Sequence, residues 1–226
     1  MQLFTQGYKM KYKSCAMALV LVCGALGAQA QTHSSADKKR FFELSYGYSP
    51  AGDVNTKPFS VPAFNLNNLT ANAQYGASQT YALNYGWRQP YGWPVDVSLW
   101  ISQMQTPFNG VSIASLNQSL PLSKRTLQNT YAVAVDRDVW RNTDWVMQVG
   151  GMLGQMDLID ADTKGTTYGL SVGARYQPQT PWFASAKLRY VTVPESKIKD
   201  YAATYAVMEV PSTNMPTLHL GWGWSY

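Results

Sequence analysis

Few side chains in this sequence are suited to acid–base or metal chemistry. The 226 residues include 2 histidines, 2 cysteines, and 13 acidic against 18 basic residues. His33 and His219 lie far apart, and no His-x-Ser grouping surrounds His219. Two distant histidines without a neighbouring thiolate cannot form a zinc site. The sequence therefore predicts no catalytic residue, no metal site and no bound cofactor.

A second set of polar side chains could bind one another instead. Each member falls on the polar face of an alternating segment: Glu43, Arg88, Asp96, Asp136, Arg175, Lys187, Arg189 and His219. Buried charges must be paired, so we expect ion pairs that fill an enclosed interior. The alternative is a gated polar path. Glycines on the same faces leave room for the long side chains: Gly47, Gly86, Gly150, Gly154, Gly169, Gly173, Gly221 and Gly223.

Eight segments could position these charges. In each, large apolar or aromatic residues alternate with small or polar ones, as side chains do on the two faces of a strand. Each segment has roughly 8–12 residues, close to the length that a tilted strand needs to cross a bilayer. The segments are Phe42–Ser49, Thr80–Arg88, Val95–Met104, Thr126–Asp136, Asp144–Gln155, Thr166–Gln177, Trp182–Val193 and Leu218–Tyr226.

Alternation alone does not show which face is inside. A soluble sandwich or lipocalin-like barrel buries its apolar face, whereas a membrane barrel turns that face to lipid. The aromatic residues favour the membrane barrel, because they concentrate near segment ends as an interfacial girdle does. They are Tyr48, Trp87, Trp145, Tyr176, Trp182, Tyr190, Trp222, Trp224 and Tyr226. We predict an all-β fold, an eight-stranded antiparallel up-and-down transmembrane β-barrel.

The first thirty residues have the pattern of a secretory signal. Lys9, Lys11 and Lys13 precede the apolar run 15–27, and Ala28-Gln29-Ala30 matches a cleavage site. We predict a cleaved signal peptide at residues 1–30 and a barrel domain at residues 31–226. Both cysteines belong to the signal. The remaining 15 basic and 13 acidic residues give a net charge of +2, which offers no basis for a nucleic-acid partner.

The connections between segments alternate in length. The long ones are 50–79, 105–125, 156–165 and 194–216, and the short ones are 89–94, 137–143 and 178–181. Outer-membrane barrels have short periplasmic turns and longer outside loops, so we expect extracellular long loops and two periplasmic termini. In the second long connection, Val111, Ile113, Leu116 and Leu120 approach helical spacing. The apolar loop residues predict either loops packed on one another or an apolar vestibule.

In this layout the chain resembles the small eight-stranded bacterial outer-membrane barrels, which include the membrane domain of OmpA, OmpX, the opacity proteins and OmpW. The segment Trp-Phe-Ala-Ser-Ala-Lys-Leu-Arg-Tyr at 182–190 is similar to the seventh strand of OmpW. The aromatic last strand resembles the signal that such proteins present to the barrel-assembly machinery. The resemblance implies a Gram-negative cell envelope, with outer-membrane lipid and lipopolysaccharide as partners.

We therefore expect a non-enzymatic outer-membrane barrel with a structural or surface-interaction role, which could also pass small hydrophobic molecules. The alternative is a lipid A-modifying enzyme of the acyltransferase or deacylase type. Such barrels resemble esterases in using a histidine with a serine or aspartate near the membrane surface. His219 points to the inner face of the last strand, where a hydrogen-bonding role in the lumen is the expectation.

Overall fold

The computed structural model describes residues 40–61, 65–89, 94–113, 118–161, 163–199 and 207–226. The signal segment and His33 lie outside the described residues. The strands are β1 (Arg40–Ser49), β2 (Gly52–Asn55), β3 (Phe59–Val61), β4 (Leu66–Leu69), β5 (Asn72–Tyr75), β6 (Ser78–Gln89), β7 (Val95–Ile113), β8 (Gln118–Arg141), β9 (Trp145–Leu158), β10 (Thr163–Tyr176), β11 (Trp182–Val193), β12 (Ser196–Lys199), β13 (Val207–Val210) and β14 (Thr213–Ser225). Among these residues, no helix is long and apolar enough to cross a membrane.

Eight of the strands close into an antiparallel barrel. Their order around the wall is β1-β6-β7-β8-β9-β10-β11-β14, and β14 pairs with β1 to close the ring. This pairing joins the first strand of the barrel to the last, for example Phe42 to Trp224. Closure leaves no sheet edge in the wall, which is the condition for strands to span a bilayer. This confirms the predicted fold, and the predicted bounds of β11 agree with the structure.

The two faces of the wall have opposite chemistry. Large apolar side chains point outward and stay exposed, with Leu170 at 71% and Leu153 at 62%. Polar and charged side chains point inward and are buried, including Asn84, Thr167 and Arg175. A water-soluble barrel would have the reverse arrangement, because a broad exposed apolar surface is unfavourable in water. The polar faces of the eight segments are therefore the inner faces.

The long connections contain more strand than we predicted. Strands β7 and β8 pair to Ile113↔Gln118 and extend the wall as a hairpin, so the helical interpretation of Val111, Ile113 and Leu120 is wrong. Leu116 lies outside the described residues. In the first connection, β2 pairs with β5, β5 pairs with β7, and β3 and β4 form a separate small sheet. In the fourth connection, β12 and β13 form another small sheet. We call this side of the barrel the loop end and the opposite side, with the short turns, the turn end.

The loop segments pack on one another. Their buried apolar residues form a loop cluster: Phe59, Leu69, Ala71, Ala73, Phe108, Val111 and Met208. At its rim, Lys57 Nζ contacts Glu195 Oε2 at 2.7 Å, and the Lys57 backbone N–H donates to the Glu209 carbonyl at 2.8 Å. These contacts join the first long connection to the fourth.

Candidate functional site in the barrel lumen

The inward charges gather in the half of the lumen near the turn end. Asp96, the second residue of β7, accepts from Arg88 Nε at 2.8 Å, and its other oxygen lies 2.8 Å from Arg175 Nη2. Gln148 donates to Asp96 at 3.0 Å and to Asp138 at 2.8 Å. The Arg175 guanidinium also packs over the Phe183 ring, 4.6 Å from its centre. Contacts of the Asp96 carboxylate thus join β6, β7, β9 and β10, and Gln148 extends the network to Asp138 on β8.

A second ion pair lies farther along the axis. Lys187 Nζ contacts Asp136 Oδ2 at 2.7 Å, and the Ser171 hydroxyl donates to Asp136 Oδ1 at 2.9 Å. Glu43 accepts hydrogen bonds from the Ser185 hydroxyl and from Asn84 Nδ2. Contacts with cations offset most of the cost of burying Asp96 and Asp136, and hydroxyl and amide donors offset part of the cost of burying Glu43.

Glycines on facing strands make this arrangement possible. Any side chain at Gly150 would overlap Asp136, and any side chain at Gly221 would overlap Glu43. A Cβ atom at Gly47 would lie only 2.6 Å from Cε1 of His219. Small and large inward residues therefore interlock, and the interior at this level is filled by side chains. We call Glu43, Arg88, Asp96, Asp136, Asp138, Arg175, Lys187 and Arg189 the charged layer.

Arg189 differs from the other cations of the charged layer. It is 1% exposed, yet no carboxylate of the described residues lies within ion-pair distance. Its guanidinium packs 3.9 Å from the centre of the Trp100 ring, and Nη1 donates to the Met152 sulfur at 3.6 Å. Nε and Nη2 are buried without a hydrogen-bond partner. Trp100 in turn contacts the His219 ring edge-on at 5.1 Å.

The loop-end half of the lumen has no charge among its described inward residues. We call this part the neutral zone, and its buried members are hydroxyl, amide, thioether or alkyl side chains: Ser49, Ser78, Thr80, Met104, Thr106, Gln128, Thr130, Met156, Leu158, Thr167 and Thr217. Ser49 and Thr217 share a hydrogen bond of 2.7 Å, and Ser78 donates to Thr106 at 2.9 Å. The lumen is therefore divided along its axis.

Backbone pairing in the wall is interrupted beside the neutral zone. Strands β10 and β11 pair only as far as Gly169↔Val191, although β10 continues along β9 to Thr163 and β11 continues along β14 to Val193. We call this interruption the seam. There the Thr167 hydroxyl donates to the Thr192 carbonyl at 2.6 Å, and the Pro194 ring contacts Gly165. Strand β14 also leaves β1 after Tyr48↔Leu218.

An open groove adjoins the seam on the outer surface of the barrel. Its volume is about 850 Å³, and it crosses the outer faces of β8 to β11 and reaches β14. Tyr168, Leu170 and Tyr190 line it near the seam, and Thr192 and Asn214 mark its loop-end limit. The Thr192 hydroxyl donates to Asn214 Oδ1 at 2.7 Å, so the groove ends at a satisfied polar pair.

The predicted interfacial aromatics lie on the outer surface or at the turn end. Rings in contact form a band at the turn end, with Trp145–Tyr176 at 5.1 Å, Tyr176–Trp182 at 5.9 Å and Trp222–Trp224 at 6.1 Å. Trp87 belongs to this band, and the Tyr226 backbone pairs with Arg40. Tyr48 and Tyr190 are exposed toward the loop end.

Three aromatic residues that pack against cations of the charged layer were not identified from the sequence. Trp100, Phe41 and Phe183 are large aromatic residues on inner faces, where they pack against Arg189 and Arg175. The signal for Trp100 was its position between two inward serines, Ser98 and Ser102. Within the described part of the chain, no three His, Cys, Asp or Glu side chains form a group able to hold a metal ion.

Comparison with known proteins finds similarity to solved structures and to no family model or curated protein. The outer membrane protein OprG from Pseudomonas aeruginosa is similar over 88% of this chain and 99% of its own, with a TM-score of 0.62 and 10% identity. The outer membrane protein AlkL matches over 86% and 94%, with a TM-score of 0.52 and 14% identity. The chain has the fold of the small outer-membrane β-barrels.

Proposed function

We propose that the chain is a non-enzymatic barrel of the bacterial outer membrane that passes small apolar molecules from the loop end into the membrane through its wall. The loop end faces the exterior, and the turn end, with both termini, faces the periplasm. The exposed apolar wall and the band of interfacial aromatics support the membrane location, because charges are costly on a lipid-facing surface.

One observation supports passage sideways through the wall over passage along the axis of the lumen. Backbone pairing lapses at the seam, beside the neutral zone and above a lumen filled by the charged layer. An apolar molecule gains nothing by entering a layer of paired charges, since it would have to separate them. The seam has weaker closure, because a side-chain hydrogen bond and the Gly165–Pro194 contact replace the ladder. The adjoining groove is almost wholly apolar and leads to lipid.

The loop cluster suits the entry side of such a route. Its buried residues belong to the first, second and fourth connections, so they form one apolar body above the lumen. The contacts that hold its rim, such as Lys57–Glu195, are exposed ion pairs, which contribute little to stability. Separation of the first connection from the fourth would break these ion pairs, the Lys57–Glu209 backbone hydrogen bond and the packing of Met208, and it would leave the ladders of the barrel wall intact.

The enzyme alternative finds less support in the geometry. His219 lies inside the lumen against Gly47 and Trp100, with Nδ1 buried and unbonded. A catalytic histidine needs a nucleophile and an orienting carboxylate within hydrogen-bond reach. Mass spectrometry of lipid A from cells with and without the protein checks this, and a change in acylation would favour the enzyme.

A reversible cross-link at the seam tests the proposed route. Gly165→Cys with Pro194→Cys places two thiols opposite each other across the seam, and the two Cβ atoms start closer than in a disulfide, so the bond forms after a small outward shift of the two strands. In cells that lack the native protein, uptake of an uncharged fluorescent naphthylamine dye is expected to fall to background on oxidation. Reduction should restore it. Unchanged uptake in the oxidised variant would refute passage through the seam.

A matched control places the same cross-link where the wall is continuous. Gln103 and Asn129 are paired across β7 and β8, and their side chains contact at 3.1 Å. The Gln103→Cys and Asn129→Cys pair is expected to leave uptake unchanged in both redox states. If this control lost uptake to the same extent, the effect at the seam would reflect general stiffening of the barrel.

A further inference from the structure

Arg189 is a buried cation that no carboxylate of the described residues contacts directly. Arg88, Arg175 and Lys187 each have a carboxylate oxygen at 2.7 or 2.8 Å, whereas Arg189 has only a thioether sulfur and an aromatic ring. A thioether is a weak acceptor, and two further donors of the guanidinium are unused. Asp136 and Glu43 act on this cation only from beyond ion-pair distance, so a carboxylate that donor atoms of the guanidinium contact directly would be favoured.

Arg189 lies where the charged layer meets the neutral zone. Its neighbours across the two ladders are Ser171 and Thr217, and Thr217 belongs to the neutral zone. The surface around the guanidinium is apolar, since Trp100 and Met152 pack together in one buried cluster with Val191 against it. A ligand that reaches Arg189 from the loop end would therefore pass only uncharged side chains before it meets this cation.

From these observations we infer that Arg189 is the recognition site for the carboxylate of an amphipathic molecule, with one carboxylate and an apolar tail. The planar guanidinium offers Nε and Nη2, whose fork matches a carboxylate in a bidentate pair. Without a ligand, the Met152 sulfur accepts from Nη1 of Arg189, and its flexible side chain can move away from Nη1 at little cost when the ligand binds. The tail then extends into the neutral zone, toward Met104 and Met156.

This inference extends the proposed function from apolar molecules to apolar molecules that have one carboxylate, and it rests on that function only for the direction of entry. Binding is measured separately from uptake, so the two can fail independently. Selective binding without flux would refute passage alone, and flux without selective binding would refute the carboxylate site alone.

The test compares ligands that differ only in the head group. The full barrel in lipid nanodiscs is titrated at neutral pH with octanoate and with octanol, with empty nanodiscs subtracted for partition into lipid. Octanoate is expected to bind about tenfold more tightly, which corresponds to about 1.4 kcal/mol. Equal affinities would overturn the inference. This comparison needs no variant, so it decides the matter even if a substitution prevents insertion.

Two variants locate the effect. Arg189→Met replaces the cation by an apolar side chain of similar length and should abolish the preference for octanoate while leaving octanol binding unchanged. Arg88→Met removes one lumen cation at the turn end, where Asp96 keeps Arg175, and should leave the preference intact. A preference that survives Arg189→Met, or is lost equally in Arg88→Met, would assign the effect to the net charge of the lumen and overturn the site.

A third ligand tests the need for the tail. Acetate has the same head group, so it should displace bound octanoate only weakly, because it leaves the apolar surface at Trp100 uncovered. Displacement by acetate as effective as by octanoate would identify a site for small anions and contradict the amphipathic class.

Discussion

The charged layer and the neutral zone occupy the same barrel and are buried to a similar degree, but they are built differently. Around the charged layer every strand pairs with both neighbours, and the side chains inside form ion pairs between distant strands such as β7 and β10. Around the neutral zone the ladders β10–β11 and β1–β14 lapse, and the inward side chains form short contacts between hydroxyl groups.

In this molecule, the part of the wall with continuous backbone ladders is also the part whose lumen is filled by ion pairs. A continuous ladder holds facing strands at fixed spacing, which ion pairs need because a buried charge separated from its partner is costly. Neutral hydroxyl and thioether side chains tolerate small movements of the wall. The half of the barrel in which the ladders lapse is therefore the half without charges.

The largest expected effect comes from removing the carboxylate that holds two cations. Asp96→Leu leaves Arg88 without its main partner and Arg175 without its only ion pair among the described residues. Breaking a buried pair typically lowers the free energy of unfolding by about 3–5 kcal/mol. Urea unfolding in lipid vesicles, followed by tryptophan fluorescence, measures the loss.

The control for this change is Thr106→Val, which lies on the same strand in the neutral zone. It removes one hydroxyl that contacts Ser78, with an expected loss of about 1 kcal/mol. Similar losses for Asp96→Leu and Thr106→Val would remove the energetic distinction between the two regions.

A smaller effect is expected from two adjacent glycines on β9. Gly150→Ala adds a methyl group against Asp136 and the Val135 carbonyl, and overpacking of this kind lowers stability by about 1–3 kcal/mol. Gly151→Ala points outward, where the nearest atom is 3.4 Å away, and should be nearly neutral. The same unfolding measurement applies to both. Equal effects would mean that the charged layer is less tightly packed than the structure shows.

The smallest effect concerns the rim of the loop cluster and depends on pH. The hydrogen bond from Lys197 lowers the pKa of Glu209, and the hydrogen bond to Glu195 raises the pKa of Lys57. The Glu209 contribution is thus present at neutral pH and is lost as the pH falls below about 4. The Lys57 contribution is present at neutral pH and is lost only as the pH rises above the usual lysine pKa of about 10.4.

Hydrogen exchange of the backbone amides of β12–β13 measures this loosening. Protection, which is the exchange rate relative to the intrinsic rate at the same pH, is expected to fall in acid and in Lys57→Met at neutral pH, because the ion pairs are lost, and in high salt, because exposed ion pairs are screened. Protection in the charged layer should not change under mild acid. Loosening of both regions together would show that the rim and the barrel open as one unit.

Alternation in the sequence was sufficient to predict the wall. Each strand repeats every two residues, so the outward position of Leu170 and the inward position of Arg175 follow from one register. The extension of β7 and β8 was missed because Val111 and Ile113 were interpreted by helical spacing. Pairing with β8 instead puts them two residues apart on one face.

The partners inside the lumen could not be predicted from the sequence. Asp96 meets Arg175 across the barrel, and this depends on the stagger of the strands, which local patterns do not encode. The sequence placed Arg189 with the other charges and predicted pairing for all of them. Its lack of a carboxylate is visible only in three dimensions, as is the interruption of the β10–β11 ladder.

Planar-bilayer conductance of the wild-type barrel tests the central claim most directly, that the charged layer closes the axis while the neutral zone remains available to solutes. The account predicts no steady ion current at moderate voltage in preparations that still support dye uptake, because the filled layer leaves no continuous aqueous path. A stable ohmic conductance from the intact barrel would contradict it.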